Sequence, residues 1–178
     1  MSHYFKILDN FIDPVKTNNF YDEFCCTKAK ICWVYENQSY DHYPIDAFCT
    51  GLSQEELLSI PFIFNTKTEI DKLLNPLNNE FKSIFINGQP SGMDGTIHED
   101  NSLGSLTALL FVNPIWEEWW GGEFLLYDNN ELINGSTFKP NRLVIFSSHL
   151  KHRGLGPIHT APGLFRVSLA FQYRKNIV

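Results

Sequence analysis

Charged residues are scarce in this chain, and those present are more often acidic than basic. They make up 19% of the 178 residues, with 14 Lys and Arg against 20 Asp and Glu and a formal net charge of −6. No run of basic residues occurs anywhere along the chain. Because contacts to phosphates need clustered Lys and Arg, this composition predicts a protein that does not bind nucleic acid.

Long apolar runs are lacking as well. No stretch approaches the roughly 18 apolar residues that a transmembrane helix needs, so we expect no membrane span. The opening residues, MSHYFKILDNF, do not place an apolar segment after a basic one. They therefore do not resemble a secretory signal.

Cysteine is infrequent and confined to the first third of the chain, at Cys25, Cys26, Cys32 and Cys49. Their spacing matches no zinc-binding pattern, and disulfide frameworks are typical of smaller secreted chains. We interpret all four as free thiols in a reducing compartment and expect a cytoplasmic protein.

Aromatic residues, in contrast, are plentiful at 15%, which predicts a folded chain with a real hydrophobic core. Helix signals come first. Asp13 followed by Pro14 predicts an N-cap and a helix to about Cys26, and capping boxes at Ser53 to Glu56 and at Thr66 to Glu69 predict two more helices. A short strand is expected at 3–10 and another at 30–36, whereas 37–51 shows no period and is predicted to be a loop.

From residue 81 onward, short apolar runs alternate with clusters of Gly, Asn, Asp and Pro. They predict strands at 81–87, 93–100, 106–113, 123–128, 136–138, 142–147 and 164–173. Helices followed by strands indicate an α+β, mainly β, fold: a sandwich or open barrel with N-terminal helices packed on one outer face. We expect a single domain over 1–178, with a helical or mixed support region at 1–80 and a β core at 81–178.

The last predicted strand has two different faces. Phe165, Val167, Leu169 and Phe171 alternate on one of them, which must be covered by apolar residues. The other face carries Arg166, Ser168, Ala170 and Gln172. An arginine among small or polar neighbours suits the wall of a cavity, and an ordinary solvent-exposed face is the alternative.

His98 and Asp100 are candidate metal ligands. If 93–100 is a strand, residues two apart point to the same face, so the imidazole and the carboxylate converge while Glu99 points away. The third ligand would be His149, His152 or His159, all in the segment that follows the strand at 142–147. Two histidines and one carboxylate are the set that holds non-haem Fe(II) and leaves coordination positions open.

An arginine close to such a site can bind the distal carboxylate of an organic cosubstrate through its planar fork. Arg166 is the candidate, because it lies on the strand that follows the three histidines. Asn87 and Gln89 lie just upstream of the metal pair and could also face the cavity, although Asn87-Gly88 is an ordinary turn dipeptide.

The order His98-x-Asp100, His152 and Arg166 resembles the Fe(II)/2-oxoglutarate-dependent oxygenases, in particular the prolyl 4-hydroxylase-like branch. TALLFVNPIWEEWWGGEFLLYD is similar to a strand, tryptophan loop and Gly-Gly turn of that branch, and NRLVIFSSHLKHRG to its strand that delivers the distal histidine. The opening LDNFID is similar to its N-terminal start. The resemblance covers 85–174 well and the first eighty residues poorly.

The resemblance implies a double-stranded β-helix, or jelly-roll, core. It implies that His98, Asp100 and His152 bind Fe(II) and that Arg166 pairs with the distal carboxylate of 2-oxoglutarate. Thr107, Leu109 and Phe111 would line the cosubstrate pocket from one face of their strand, together with Ser168. A tyrosine common in relatives is replaced by Phe111, so Thr107 or Ser168 would supply the hydrogen bonding.

The function implied is hydroxylation of an unactivated C–H bond, with ascorbate as the reductant and a protein or peptide side chain, proline first, as the substrate. A free amino acid or another small metabolite is the alternative substrate. Two rival functions are a non-catalytic metal-containing jelly roll that binds a ligand, and a zinc hydrolase. We expect Trp116, Trp119 and Trp120 to pack at the base of a loop, with a place at the substrate rim as the alternative.

Overall fold

The computed structural model describes residues 3–25, 33–40, 43–100, 103–158 and 165–176, with the backbone alone at 33–40 and 43–49. The helices are α1 (Pro14–Phe20), α2 (Gln54–Ser59) and α3 (Pro61–Leu74). The strands are β1 (Phe5–Leu8), β2 (Trp33–Tyr40), β3 (Tyr43–Thr50), β4 (Asn79–Gln89), β5 (Leu106–Phe111), β6 (Phe124–Asp128), β7 (Glu131–Ser136), β8 (Leu143–Ser147), β9 (Lys151–Gly154) and β10 (Arg166–Lys175).

Two antiparallel sheets make up the β part of the described chain. The larger has seven strands in the order β1-β8-β5-β10-β4-β3-β2, and the smaller has three in the order β7-β6-β9. Neighbours in the sheets are often far apart in sequence, as with β1 and β8 or β4 and β10. The prediction of a mainly β fold is confirmed.

The alternation along β10 divides the interior into two clusters. Val167, Leu169 and Phe171 belong to an outer cluster, which also contains helix residues such as Ile63 and Ile70. The inter-sheet cluster combines residues from β5, β6, β8 and β10; its members are Leu109, Phe111, Phe124, Leu126, Phe138, Val144, Phe146, Leu150 and Ala170. Because β6 belongs to the small sheet and the other three strands to the large one, this cluster lies between the sheets.

Two of the predicted helix starts are confirmed. The Asp13 carboxylate accepts a hydrogen bond from the Val15 amide and caps α1, and Ser53 and Glu56 form both bonds of a capping box at α2. The third predicted start is wrong, because α3 begins at Pro61 and runs through Thr66 without interruption. Proline is favoured at the first helical position, where its missing N–H costs nothing, so Pro61 supplies the start.

The Thr66 side chain is only 1% exposed, and its hydroxyl has no hydrogen-bond partner among the described residues. Since an unsatisfied buried hydroxyl is costly, we expect Thr66→Val to raise the free energy of unfolding by about 1 kcal/mol. Thr17 is the matched control, because it is equally buried but its hydroxyl donates to the Asp13 carbonyl. Thr17→Val should lower the free energy of unfolding in the same urea titration. A loss of stability in Thr66→Val would contradict the prediction.

The loop predicted at 37–51 is wrong. Residues 33–40 and 43–50 pair along their full length as the hairpin β2–β3, which extends the large sheet at its edge. β3 pairs with β4 at two positions, Phe48 opposite Gly88 and Cys49 opposite Asn87. Every residue other than proline carries the same backbone donor and acceptor, so strands can pair where the sequence shows no period.

Three predictions for residues between 87 and 138 also need correction. Residues 93–100 form no strand apart from a single bridge at His98, and the strand predicted at 136–138 lies instead at β7. Asn87-Gly88 is not a turn but part of β4, since pairing to both β3 and β10 holds it extended. No helix in the described part of the chain is long and apolar enough to cross a membrane.

Candidate metal centre

His98, Asp100 and His152 come together beside the inter-sheet cluster. One ligand atom from each lies within 4.8 Å of the others, so the three could hold a metal ion. Nε2 of His98 is 3.6 Å from Asp100 Oδ1, and Nε2 of His152 is 3.6 Å from Asp100 Oδ2. The His152 ring is buried against the Phe146 ring, with 4.6 Å between the centroids.

Backbone pairing, and not a continuous strand, sets this geometry. The amides and carbonyls of His98 and His152 bond to each other reciprocally at 3.0 and 2.8 Å, and the Asp100 amide donates to the Ser148 carbonyl at 3.0 Å. His152 lies on β9, and β9 follows β8 through a tight turn. The expected convergence of His98 and Asp100 is therefore present, and Glu99 is exposed between them.

The tautomer of both histidines follows from their partners. Nδ1 of His98 is 2.9 Å from the Thr96 carbonyl, and Nδ1 of His152 is 3.0 Å from the Leu150 carbonyl. Because a carbonyl oxygen only accepts, both Nδ1 atoms carry a proton and donate it. Both Nε2 atoms face Asp100: when protonated they donate to its carboxylate, and when deprotonated they offer the lone pair that a metal ligand requires.

Electrostatics keeps the central carboxylate ionised. Burial alone would raise the pKa of Asp100, but the charge of His152 and hydrogen bonds from both histidines outweigh it and hold that pKa far below its usual value. Burial likewise lowers the pKa of His98, and its hydrogen bond and attraction to Asp100 reverse the effect and raise it. The site thus presents one anionic oxygen ligand and two imidazole nitrogens, which suit a divalent transition metal.

Arg166 is buried at the start of β10, with 2% of its surface exposed. Its Nε donates to the Gly122 carbonyl at 2.8 Å and its Nη1 to Gln89 Oε1 at 2.7 Å, while Nη2 is buried without a partner among the described residues. Burial lowers the pKa of Arg166 to about 10, against an opposing attraction to Glu123. The guanidinium therefore remains charged at neutral pH.

Aromatic rings flank this guanidinium. Its carbon atom lies 5.0 Å from the centre of the Phe111 ring and 5.5 Å from that of Phe138, and the two rings stack on each other. Arginine over an aromatic face gains cation–π attraction, which is stronger when the pair is desolvated. The sequence gives no sign of the role of Phe138, because nothing in its local pattern marks a contact with a strand 28 residues further along the chain.

The four residues predicted to line the cosubstrate pocket lie in two places, one beside Asp100 and three in or next to the inter-sheet cluster. The Thr107 hydroxyl donates to Asp100 Oδ2 at 2.6 Å and contacts Ser148, so it orients the carboxylate of a candidate ligand. Leu109 and Phe111 lie in the inter-sheet cluster, and Ser168 is buried directly opposite Phe111 in the ladder. That Thr107, Leu109, Phe111 and Ser168 bind a cosubstrate stays a prediction.

Of the two remaining candidate histidines, only His149 lies among the described residues. His149 precedes β9, with its ring 6.1 Å from that of His3, and is not a member of the group. His159 falls outside the described residues.

The Gly-Gly turn after the tryptophans has the predicted role. Gly121 and Gly122 have φ angles of +74° and +82°, and a Cβ on Gly122 would lie 2.8 Å from the Trp116 ring. This conformation presents the Gly122 carbonyl to Arg166. Trp116 packs on Phe138, as expected of a loop base, whereas Trp119 is 64% exposed.

No protein-family model and no curated protein matches the chain. Solved structures do match. The viral collagen prolyl hydroxylase of Paramecium Bursaria Chlorella virus-1, a 2OG complex, is 15% identical with a TM-score of 0.65, and the match covers 97% of both chains. A Trichoplax adhaerens prolyl hydroxylase bound to a hypoxia inducible factor peptide is 18% identical with a TM-score of 0.60, over 95% of this chain and 82% of that one.

A third match is the alpha ketoglutarate dependent epimerase SnoN of nogalamycin biosynthesis, 11% identical with a TM-score of 0.69, over 96% of this chain and 76% of that one. At these identities the likeness establishes the fold. It confirms the predicted double-stranded β-helix, and it agrees with the resemblance to prolyl 4-hydroxylase-like oxygenases drawn from the order of four residues.

Proposed function

We propose that the protein is an Fe(II)- and 2-oxoglutarate-dependent dioxygenase that hydroxylates an unactivated C–H bond. His98, Asp100 and His152 would hold the iron, and Arg166 would bind the distal carboxylate of 2-oxoglutarate. The observation that carries the proposal is the buried Arg166 Nη2, which has no partner among the described residues. Arg166 lies over the Phe111 ring and His152 against the Phe146 ring, so both pack on the inter-sheet cluster. A buried charged donor without an acceptor is costly unless a ligand supplies one.

The donor set fits this chemistry. When bound, iron and 2-oxoglutarate supply the oxidation of a C–H bond by O2, in which 2-oxoglutarate becomes succinate and carbon dioxide. The protein orients the ligands: carbonyls of Thr96 and Leu150 hold the two histidine tautomers, and Thr107 holds the Asp100 carboxylate. Ascorbate would serve as the reductant that maintains the ferrous state.

The two rival functions fit less well. A metal site that only binds a passive ligand has no need of a buried arginine with an open donor. A zinc hydrolase needs a general base beside the metal, and the nearest further carboxylate in sequence, Glu99, is exposed.

We further propose that residues 1–178 act as one oxygenase domain and that the protein is cytoplasmic. The outer cluster supports the first proposal, since it joins residues of α3 with residues of β10. The cysteines match no disulfide framework or zinc pattern in the sequence, which is in keeping with a reducing compartment.

The proposed substrate is a neutral or basic polypeptide segment, with proline as the first candidate residue. Ile115, Trp119 and Ile158 are each more than 60% exposed, and Ile158 lies against the Gly-Gly turn next to Arg166. Exposed aromatic and aliphatic side chains provide apolar surface on which an extended peptide can pack. Glu117 and Glu118 are exposed beside them and would disfavour an acidic peptide.

Mass spectrometry of peptide mixtures tests this substrate class. With Fe(II), 2-oxoglutarate and ascorbate, we expect proline-containing peptides to gain the mass of one oxygen atom in step with succinate formation, because only a positioned C–H reacts. Asp100→Ala protein is the control for iron-dependent background oxidation. Hydroxylation of free amino acids with every peptide unchanged would reject the polypeptide substrate and leave the oxygenase proposal standing.

A further inference from the structure

Gln89 is the last residue of β4 and lies directly opposite Arg166 of β10 in the antiparallel ladder. Side chains of directly opposed residues lie on the same face of a sheet and touch. Gln89 is 5% exposed, so its amide needs hydrogen-bond partners inside the protein.

The Gln89 amide joins two elements of the site. Its Oε1 accepts from Arg166 Nη1 at 2.7 Å, and its Nε2 donates to the Gly154 carbonyl at 2.9 Å. Gly154 is the last residue of β9, two positions after His152. The amide orientation is fixed by its partners, because a flipped amide would set its NH2 against a guanidinium and its oxygen against a carbonyl.

Glycines make room for this connection. A Cβ on Gly154 would lie 3.0 Å from Gln89 Oε1 and 3.1 Å from Arg166 Nη1. A Cβ on Gly95 would lie 3.3 Å from Gln89 Nε2. The Gln89 amide is thus packed against the backbone of Gly95 and Gly154, and the guanidinium against that of Gly154.

The two hydrogen bonds of the Arg166 guanidinium leave three of its five N–H groups for a ligand. A guanidinium has five N–H groups, one on Nε and two on each Nη. Gly122 takes the Nε hydrogen and Gln89 takes one on Nη1, so the side formed by Nε and Nη2 is closed to a bidentate carboxylate. Both hydrogens of Nη2 and the second hydrogen of Nη1 remain without a partner among the described residues.

We infer that Gln89 is a positioning residue that holds Arg166 with its Nη2 toward the distal carboxylate of the cosubstrate. This inference rests on the proposed function. It gives Gln89 the role of a neutral acceptor: it orients the guanidinium without neutralising its charge.

The charge of residue 89 can be changed with little change in its size. Gln89→Glu keeps an acceptor for Nη1, loses the donor to Gly154, and places an anion next to the carboxylate to be bound. Gln89→Ala removes both hydrogen bonds without adding charge. We expect the dissociation constant for 2-oxoglutarate to rise on the order of 100-fold in Gln89→Glu and about tenfold in Gln89→Ala, where only preorganisation is lost.

The probes are 2-oxoglutarate and 2-oxopentanoate, titrated anaerobically by calorimetry into protein loaded with Mn(II). 2-Oxopentanoate keeps the chelating end and has a methyl group in place of the distal carboxylate. The change in its dissociation constant should be within about twofold in both variants, since no charged group reaches Arg166. Gln54→Glu is the matched control, because the Gln54 amide also bonds backbone of β4, at Ile84, and its hydrogen bonds involve no arginine.

Each outcome decides the question. A larger loss in Gln89→Glu than in Gln89→Ala, confined to 2-oxoglutarate and absent from Gln54→Glu, supports the inference. Equal losses for the two oxo acids, unchanged binding, or a variant that fails to fold while Gln54→Glu folds would assign Gln89 a purely structural role and overturn it. Failure of the unsubstituted protein to bind 2-oxoglutarate would overturn the proposed function as well.

Discussion

Alanine in place of His98, Asp100 or His152 is expected to abolish tight Fe(II) binding. Each substitution removes one of three ligands, and Asp100→Ala also leaves the two histidine Nε2 atoms without the anion between them. Loss of one ligand from a three-ligand site leaves too few donors to compete with water. Anaerobic equilibrium dialysis with Fe(II), with Mn(II) as a stable surrogate, measures the effect.

His149→Ala is the matched control for this prediction. His149 lies three residues before His152 in the sequence. Its ring is near that of His3, and it does not belong to the His-Asp-His group. Binding of metal by His149→Ala should match that of the unsubstituted protein. If His149→Ala lost the metal while His152→Ala retained it, the assignment of the third ligand would be wrong.

Arg166→Ala should weaken 2-oxoglutarate binding by about 100-fold or more, since truncating one partner of a buried charge pair costs roughly 2–5 kcal/mol. Arg166→Lys should retain part of the affinity, because an ammonium keeps the charge but not the planar fork. Titration of 2-oxoglutarate into Mn(II)-loaded protein gives both values.

Arg142→Ala separates this effect from the general loss of an arginine. Within the described part of the chain, the Arg142 guanidinium donates to Asp9, Ser136 and Thr137. None of these partners belongs to the His-Asp-His group or contacts Arg166 through these bonds. Its removal should therefore affect stability and leave cosubstrate affinity unchanged. An unchanged 2-oxoglutarate response in Arg166→Ala would remove Arg166 from the site.

The two hydrogen bonds between Arg166 and its neighbours also predict a difference in how the two Arg166 variants fold. Arg166→Ala leaves the Gly122 carbonyl and Gln89 Oε1 without their donor, whereas a lysine can serve one of them. Binding should therefore be normalised to the folded fraction, measured by the unfolding transition of each variant.

The sequence by itself determined the parts of this protein that depend on local order. Alternation along 165–172 assigned the apolar face and the arginine face of β10 correctly, because side chains in a strand alternate whatever their partners. Caps at Asp13 and Ser53 were predictable because a cap bonds amides two or three residues away. The grouping of His98, Asp100 and His152 followed from their types and order, although the strand predicted at 93–100 is absent.

Only the tertiary structure decided what connects the site. Gln89 meets Arg166 across 77 residues and Gly154 across 65, and no local pattern encodes either contact. The same holds for the aromatic rings on the guanidinium, which reach it from β5 and from the segment after β7. Thr107 lies seven residues from Asp100, yet it meets that carboxylate because Asp100 is held against Ser148 by a backbone bond. Antiparallel pairing between distant strands sets these partners, and the orientation of a buried polar side chain is chosen by whichever donor or acceptor the pairing brings within reach.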